Sequence, residues 1–188
     1  MHPATPFTRR RGLLALAGLS LLPGLASAAL AVGAATPDFT LDAAVGGKAF
    51  RFTLSEALRQ GPVVLYFYPK SFTSGCTVEA HQFSDATPKF KALGATVVGV
   101  SNDSLATQQR FSVEACRGQF AVAADEGAKV IKQFDAGFML APTVADRISY
   151  VIEPPGRVLA VHASMDPDGH VGAALAAVQA WQARQGKR

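Results

Sequence analysis

The feature that most constrains the fold is an apolar run that ends at a proline and leads into a helix. The run covers residues 63–68, which are β-branched, aliphatic or aromatic and show no polar alternation. This pattern is typical of a strand that is buried on both faces, as in a parallel sheet. Pro69 ends the strand, and a helix is predicted over 77–93 with Ser74 as a candidate N-cap.

A cysteine stands where this helix is predicted to begin. With Ser74 as the N-cap, Cys76 lies in the first turn, where unpaired backbone N–H groups and the helix dipole stabilise a thiolate. A thiolate is a strong nucleophile, whereas a thiol is not. The alternative interpretation of Cys76 is a small buried apolar residue, because free cysteines are often buried.

The residues around this cysteine resemble a known active site. The spacing Pro69-x-x-x-Thr73-x-x-Cys76 resembles the peroxiredoxin motif, and VVLYFYPKSFTSGCTVEA is similar to the bacterioferritin-comigratory, or Q-type, branch. The resemblance implies that Cys76 is the peroxidatic cysteine and that Pro69 shields it from solvent. It also implies that the Thr73 hydroxyl hydrogen-bonds to the thiolate and to the peroxide.

An arginine is the fourth residue of the implied pocket. Arg147 opens the predicted strand RISYVIE and matches the strand arginine of that family. A guanidinium at this place would favour the thiolate and hold the peroxide oxygens as negative charge develops. The alternative is an ordinary exposed arginine at the end of a strand.

The second cysteine is the candidate for closing the catalytic cycle. Many Q-type peroxiredoxins carry a resolving cysteine five residues after the peroxidatic one, but His81 occupies that place here, which excludes this short-range route. Cys116 falls where other members carry a resolving cysteine, on the helix after the second strand. One alternative is a structural disulfide, which export would favour. The other is a buried free thiol, in which case the catalytic cycle would use one cysteine. His81 itself is expected to be a surface or packing residue.

The start of the chain resembles an export signal. Three arginines at 9–11 precede an apolar run at 13–22, and Ala26-Ser27-Ala28 forms a small-x-small cleavage site. The run TRRRGLL resembles a twin-arginine signal without its usual phenylalanine, and the general secretion route fits equally. A retained membrane anchor is the alternative, because the apolar stretch is long enough to span a bilayer. Export to the bacterial periplasm is the expectation.

The domain organisation follows from this cleavage site. We expect an export signal at 1–28, a short linker at 29–36 and a single domain at 37–188. Once the signal is removed, 15 lysines and arginines face 14 acidic residues, a net charge of +1. The basic balance of the whole chain is therefore no argument for nucleic-acid binding. The widely spaced histidines and cysteines show no metal-ligand spacing, and no cofactor is implied.

Strands and helices alternate along the remainder of the chain. Strands are predicted at 37–41 and 49–52 around Gly46-Gly47, at 63–68, 96–101 and 121–124, and in a hairpin of 147–153 with 157–162. Helices are predicted at 53–61 behind a capping box, at 77–93 with a kink or break at Pro88, from Asp103 or Ser104 to 116, at 128–134 and at 169–184, with a loop at 137–146. The pattern indicates an α/β fold with a parallel core. The resemblance implies a thioredoxin-like fold with a central mixed sheet flanked by helices and an N-terminal β-hairpin.

The sequence supports two hypotheses about function. The first is a thiol peroxidase that reduces hydrogen peroxide and organic hydroperoxides and is recycled by a thioredoxin-type dithiol, as a monomer or weak dimer without stable membrane association after cleavage. The second is an exported thioredoxin-fold binding or scaffold protein with a structural Cys76–Cys116 disulfide. A dithiol oxidoreductase is less favoured, because the chain has no Cys-x-x-Cys motif.

Overall fold

The computed structural model describes Met1 and residues 29–186, so the predicted export signal and its cleavage site lie outside the described residues. The strands are β1 (Thr40–Val45), β2 (Lys48–Thr53), β3 (Val63–Phe67), β4 (Thr96–Ser101), β5 (Ala121–Ala124), β6 (Gly137–Phe138), β7 (Ala141–Ala145), β8 (Ile148–Glu153) and β9 (Arg157–Ala163). The helices are α1 (Leu54–Leu58), α2 (Ser74–Ala92), α3 (Leu105–Glu114), α4 (Lys129–Gln133) and α5 (His170–Gln185). In this part of the chain no helix combines the length and the apolar character that crossing a membrane requires.

Seven strands form one mixed sheet in the order β2-β1-β5-β4-β3-β8-β9. Strands β3, β4 and β5 are parallel, and the β3–β4 register runs from Val63 opposite Thr96 to Phe67 opposite Val100. The other pairings, including the β1–β2 and β8–β9 hairpins, are antiparallel. The predicted parallel core, mixed sheet and N-terminal hairpin are thus confirmed.

The sheet is buried on both faces, as the uniform apolar run predicted. Alternate residues of β3 enter two separate cores, with Leu65 and Phe67 on one face and Val64 and Tyr66 on the other. The first core is covered by α1 and α4, and the second by α2, α3 and α5. This second core contains both cysteines.

The first N-terminal strand begins at Thr40 rather than at residue 37, and both N-terminal strands are longer than predicted. The turn at Gly46-Gly47 is where the sequence placed it, but β1 extends through Ala43 and Ala44. Alanine is a poor strand former, so propensity did not reveal this extension. Both alanines pair with β5 and are fully buried, so tertiary packing decides their conformation.

Two local predictions at helices are wrong. Helix α2 runs unbroken through Pro88, so the predicted alternative of a break into two helices is wrong, and Phe83 and Phe90 on either side of the proline are both buried. The predicted capping box before α1 does not form, because the Thr53 hydroxyl bonds to the Thr40 hydroxyl at 3.0 Å instead. Packing and cross-strand pairing therefore outweigh the local signals at both places.

Two stretches that were predicted to be a loop and a linker form backbone hydrogen bonds. The loop predicted at 137–146 contains β6 and β7, which pair as a separate small sheet, and a Cβ at Gly137 would lie 2.7 Å from the Pro142 oxygen. Glycine alone permits that approach. The predicted linker at 29–36 also packs on the sheet, since the Gly33 N–H donates to the Val158 carbonyl at 2.8 Å.

Candidate active site

The first turn of α2 forms the floor of the site. Thr73, rather than Ser74, is the N-cap, and the Thr77 N–H makes the first helical hydrogen bond, 2.9 Å to the Thr73 carbonyl. Three N–H groups before Thr77, including that of Cys76, therefore lack partners among the described residues. Cys76 is only 2% exposed. Its side chain thus lies within the field of unpaired amide dipoles, which favour negative charge.

Arg147 is the residue just before β8 and reaches Cys76 from the start of that strand. Its Nη2 lies 3.5 Å from the Cys76 Sγ, its Nε donates to the Met165 carbonyl at 3.0 Å, and the residue is 4% exposed. Gly75 leaves room for this approach, because a Cβ at that position would make a tight contact of 3.1 Å with the same Nη2. The sequence predicted an arginine near this cysteine, and the structure brings the two into contact.

A buried glutamate, which the sequence analysis did not single out, completes the cluster. Glu79 follows Cys76 by one helical turn and is fully buried, and its Oε2 accepts a hydrogen bond from Arg147 Nη1. Burial raises the pKa of Glu79 to about 7, although the Arg147 charge acts in the opposite direction. Residues at i and i+3 share a helix face, so the spacing from Cys76 was the signal that could have found it.

One guanidinium therefore serves two acidic groups. Burial disfavours the charged form of Arg147, but Glu79 and Cys76 outweigh that cost, and the pKa of Arg147 lies above its ordinary value. The arginine is a permanent cation at the bottom of the site. It can stabilise negative charge on the Cys76 sulfur and on an oxygen bound beside it.

The loop before α2 forms the rim of the site. Pro69 is half-buried, whereas Thr73 is exposed, and its hydroxyl donates to the Lys70 carbonyl at 2.9 Å. Within the described part of the chain, that hydroxyl makes no hydrogen bond to Cys76. Its oxygen keeps free acceptor capacity.

A buried aspartate holds this loop in place. Of the two predicted helix caps, Ser104 caps α3, whereas Asp103 accepts from the Ser71 N–H at 2.7 Å. It also accepts from the Ser101 hydroxyl at 2.8 Å and from Lys70 Nζ at 3.1 Å. Burial opposes its ionisation, but these donors outweigh burial, and the pKa of Asp103 lies below its ordinary value.

The two cysteines are free and separated in this conformation. Cys116 lies just beyond the end of α3, fully buried, and its carbonyl accepts from the Ser84 hydroxyl at 3.0 Å. Ser84 follows Cys76 by eight residues, which corresponds to about 12 Å along α2. The segment that carries Cys116 therefore packs on α2 about two helical turns beyond the helix start that carries Cys76. Burial also raises the pKa of the Cys116 thiol.

Comparisons with known proteins point to one family. The family model described as "AhpC/TSA family" matches residues 32–161. A chloroplastic peroxiredoxin Q of Triticum aestivum is 35% identical over 158 residues, which cover 83% of this chain and 70% of that protein. A related peroxiredoxin Q of Oryza sativa subsp. japonica is also 35% identical, over 78% of this chain and 66% of that protein.

Two solved structures are also similar to this chain. The crystal structure of peroxidoxin BcpB from Mycobacterium tuberculosis has a TM-score of 0.71 at 34% identity, covering 79% of this chain and 96% of that chain. A structure of peroxiredoxin Q from Xanthomonas campestris has a TM-score of 0.66 at 28% identity, covering 76% and 91%. The range matched by the family model contains both Cys76 and Arg147.

Proposed function

Given that the chain belongs to the AhpC/TSA family as a peroxiredoxin of the bacterioferritin-comigratory, or Q, type, and is therefore a thiol peroxidase, we propose that Cys76 is its peroxidatic residue. The observation that carries the proposal is the 3.5 Å contact between Arg147 Nη2 and the Cys76 Sγ in the first turn of α2. The contact places the sulfur beside a cation and three unpaired amide N–H groups, where a thiolate is stabilised.

The first step is a nucleophilic displacement. The Cys76 thiolate attacks one oxygen of the peroxide, the O–O bond breaks, and the departing oxygen takes a proton and leaves as water or an alcohol. Cys76 becomes a sulfenic acid. Arg147 stabilises the negative charge on the departing oxygen, Thr73 accepts a hydrogen bond from the peroxide, and Pro69 limits the access of water. Hydrogen peroxide and organic hydroperoxides both meet these requirements.

Cys116 then resolves the sulfenic acid. Its thiolate attacks the Cys76 sulfur, water is released, and a disulfide joins the two residues. A dithiol protein of the thioredoxin type reduces this disulfide through a mixed disulfide, and both thiols return. The separation of the cysteines and the buried Cys116 thiol imply that the first turns of α2 or the Cys116 segment unfold locally before this step. The free, separated thiols do not favour the alternative of a scaffold with a structural bridge.

Peroxide consumption in the presence of dithiothreitol tests the proposal. The wild type is expected to turn over, Cys76→Ser to lose all turnover, and Cys116→Ser to keep the first reaction with peroxide. Mass spectrometry of the oxidised wild type is expected to show a disulfide between residues 76 and 116. Peroxide consumption by Cys76→Ser at the wild-type rate would contradict the assignment of Cys76. An oxidised wild type with no such disulfide would contradict the role of Cys116.

We also propose that the protein is exported, on the evidence of the arginines, the apolar run and the small-x-small site within residues 1–28. In a bacterial host, the full chain should yield a periplasmic product that begins at Ala29 and behaves as a monomer or weak dimer in sedimentation. A full-length product that stays with the cytoplasm or the membrane would refute cleavage and export.

A further inference from the structure

The polar cluster around Arg147 continues behind Glu79 to a histidine that the proposed reaction does not use. His170 is the first residue of α5 and is fully buried. Its Nδ1 lies 3.6 Å from Glu79 Oε1 and 2.8 Å from the Ser149 hydroxyl, and its Nε2 lies 3.0 Å from the Ser164 carbonyl. Three elements, α2, β8 and α5, therefore meet at this imidazole ring.

The partners of His170 determine which ring nitrogen carries the hydrogen. The Ser164 carbonyl can only accept, so Nε2 carries the hydrogen and donates it. Burial lowers the pKa of His170 to about 4, so the ring is neutral near neutral pH and Nδ1 is an acceptor. The Ser149 hydroxyl therefore donates to Nδ1.

Glu79 turns an unsatisfied oxygen towards this ring. Its Oε2 is held by Arg147, but its buried Oε1 has no hydrogen-bond partner among the described residues and faces the acceptor Nδ1 of His170. Two acceptors cannot bond to each other. A proton on Oε1 removes the conflict, because the carboxyl O–H can then donate to Nδ1 in competition with Ser149.

We propose that Ser149 and His170 are positioning residues that set the protonation state of Glu79. The protonation state of Glu79 in turn determines how strongly the Arg147 guanidinium interacts with Cys76. With Glu79 ionised, Arg147 is shared between a carboxylate and the sulfur. With Glu79 protonated and bonded to His170, the guanidinium serves the thiolate alone. The burial that raises the pKa of Glu79 to about 7 places this exchange near neutral pH.

The other ionisable groups around the pair come from three elements. Cys76 lies one turn earlier on α2, the buried Tyr66 hydroxyl comes from β3, and His162 of β9 packs edge-on against His170 at 4.5 Å between ring centres. Burial raises the pKa of Tyr66 well above its ordinary value, so Tyr66 stays neutral throughout the range considered. The carboxyl of Glu79 is therefore the acid in direct contact with both Arg147 and His170.

Infrared difference spectroscopy of the reduced protein measures the proposed proton directly. The carboxylic-acid C=O band should disappear as the pH rises, and Glu79→Gln assigns it by removing it. Ser149→Ala leaves the carboxyl as the sole donor to Nδ1 and should raise the midpoint by about one pH unit, the effect of one hydrogen bond. In His170→Gln the amide NH2 can donate to the Ser164 carbonyl as Nε2 does, which leaves no acceptor at the Nδ1 position that faces Glu79, so the midpoint should fall by about as much.

Two further variants separate this role from simple packing. His170→Asn keeps an acceptor near the Nδ1 position and should restore the midpoint towards the wild-type value, whereas His81→Gln, a half-buried histidine elsewhere on α2, should not move it. Melting curves establish that each variant is folded. An unchanged midpoint in folded Ser149→Ala would overturn the proposal. If Ser149→Ala does not fold, equal midpoints in His170→Gln and His170→Asn would overturn it.

This inference rests on the proposed function in one respect, namely that Arg147 promotes the reaction of Cys76 with peroxide. The pH profile of the reaction between Cys76 and hydrogen peroxide should shift in the same direction as the infrared midpoint in each variant. A wild type that is inert to peroxide but shows the infrared shifts would refute the proposed function alone. A peroxide-reactive protein whose infrared midpoint is unaffected by Ser149→Ala would refute this inference alone.

Discussion

Replacement of Arg147 by methionine is the most informative single perturbation of the site. Methionine keeps the unbranched apolar stem and removes the guanidinium that touches both Cys76 and Glu79. At 3.5 Å and an effective dielectric constant of about 20, two unit charges attract by about 5 kcal/mol. The amide N–H groups of the first turn of α2 remain in the variant, so only part of this energy is lost.

We therefore expect the rate constant for the reaction of the reduced protein with hydrogen peroxide to fall by about a hundred- to a thousandfold, the usual effect of removing one charge-stabilising donor. Folding should survive, because Glu79 already has a pKa of about 7 and can become neutral when its partner is removed. Competition against a reporter thiol of known peroxide reactivity measures the rate, and a melting curve verifies folding.

A matched substitution controls for the loss of a positive charge as such. Arg51→Met removes an arginine that is 65% exposed and paired with Asp42 on the N-terminal hairpin, and it should leave the peroxide rate unchanged. If folded Arg147→Met retains the rate to within about tenfold, the guanidinium contributes less than about 1.4 kcal/mol, and the electrostatic account of the site is wrong.

Two further predictions concern residues that support the cluster. Gly75→Ala places a Cβ 3.1 Å from Arg147 Nη2 and should slow the peroxide reaction by about tenfold at unchanged or higher melting temperature; an unchanged rate would show that the arginine adapts freely. Asp103→Asn weakens the bond to the Ser71 N–H and should lower the free energy of unfolding by about 2 kcal/mol near neutral pH. Because the folded pKa of Asp103 lies below its unfolded value, this contribution is present above the unfolded value and is lost as the pH falls through the folded one. Denaturant titrations across that acid range should therefore show a smaller difference between wild type and variant at low pH, and a constant difference would contradict the assignment.

The local part of the site was accessible to sequence reasoning. The apolar run of β3, the proline that ends it and the helix start around Cys76 lie within a few residues of one another, so short-range rules predict them. The resemblance added Arg147, which is distant in sequence. The resemblance could not predict that the Arg147 guanidinium interacts with both Cys76 and Glu79, because this depends on the burial of Glu79.

The supporting residues were not predictable in the same way. Asp103 lies in the loop between β4 and α3, Ser149 on β8 and His170 on α5, and each acts through a contact that forms only in the folded protein. Likewise, the distance from Cys76 to Cys116 follows from the packing of α2 on the segment after α3 and not from their spacing in sequence. Helix and strand patterns report one face of one element, whereas these contacts join faces of different elements.

In the proposed reaction, the Cys76 sulfur itself takes an oxygen atom from the peroxide. The most direct test adds one equivalent of hydrogen peroxide to the reduced Cys116→Ser variant, in which the sulfenic acid has no second cysteine to condense with, followed by mass spectrometry of its peptides. We expect the peptide containing Cys76 to gain the mass of one oxygen atom and to react with a sulfenic-acid reagent. Peroxide that is consumed while this peptide stays unmodified, or an oxygen found on another residue, would contradict it.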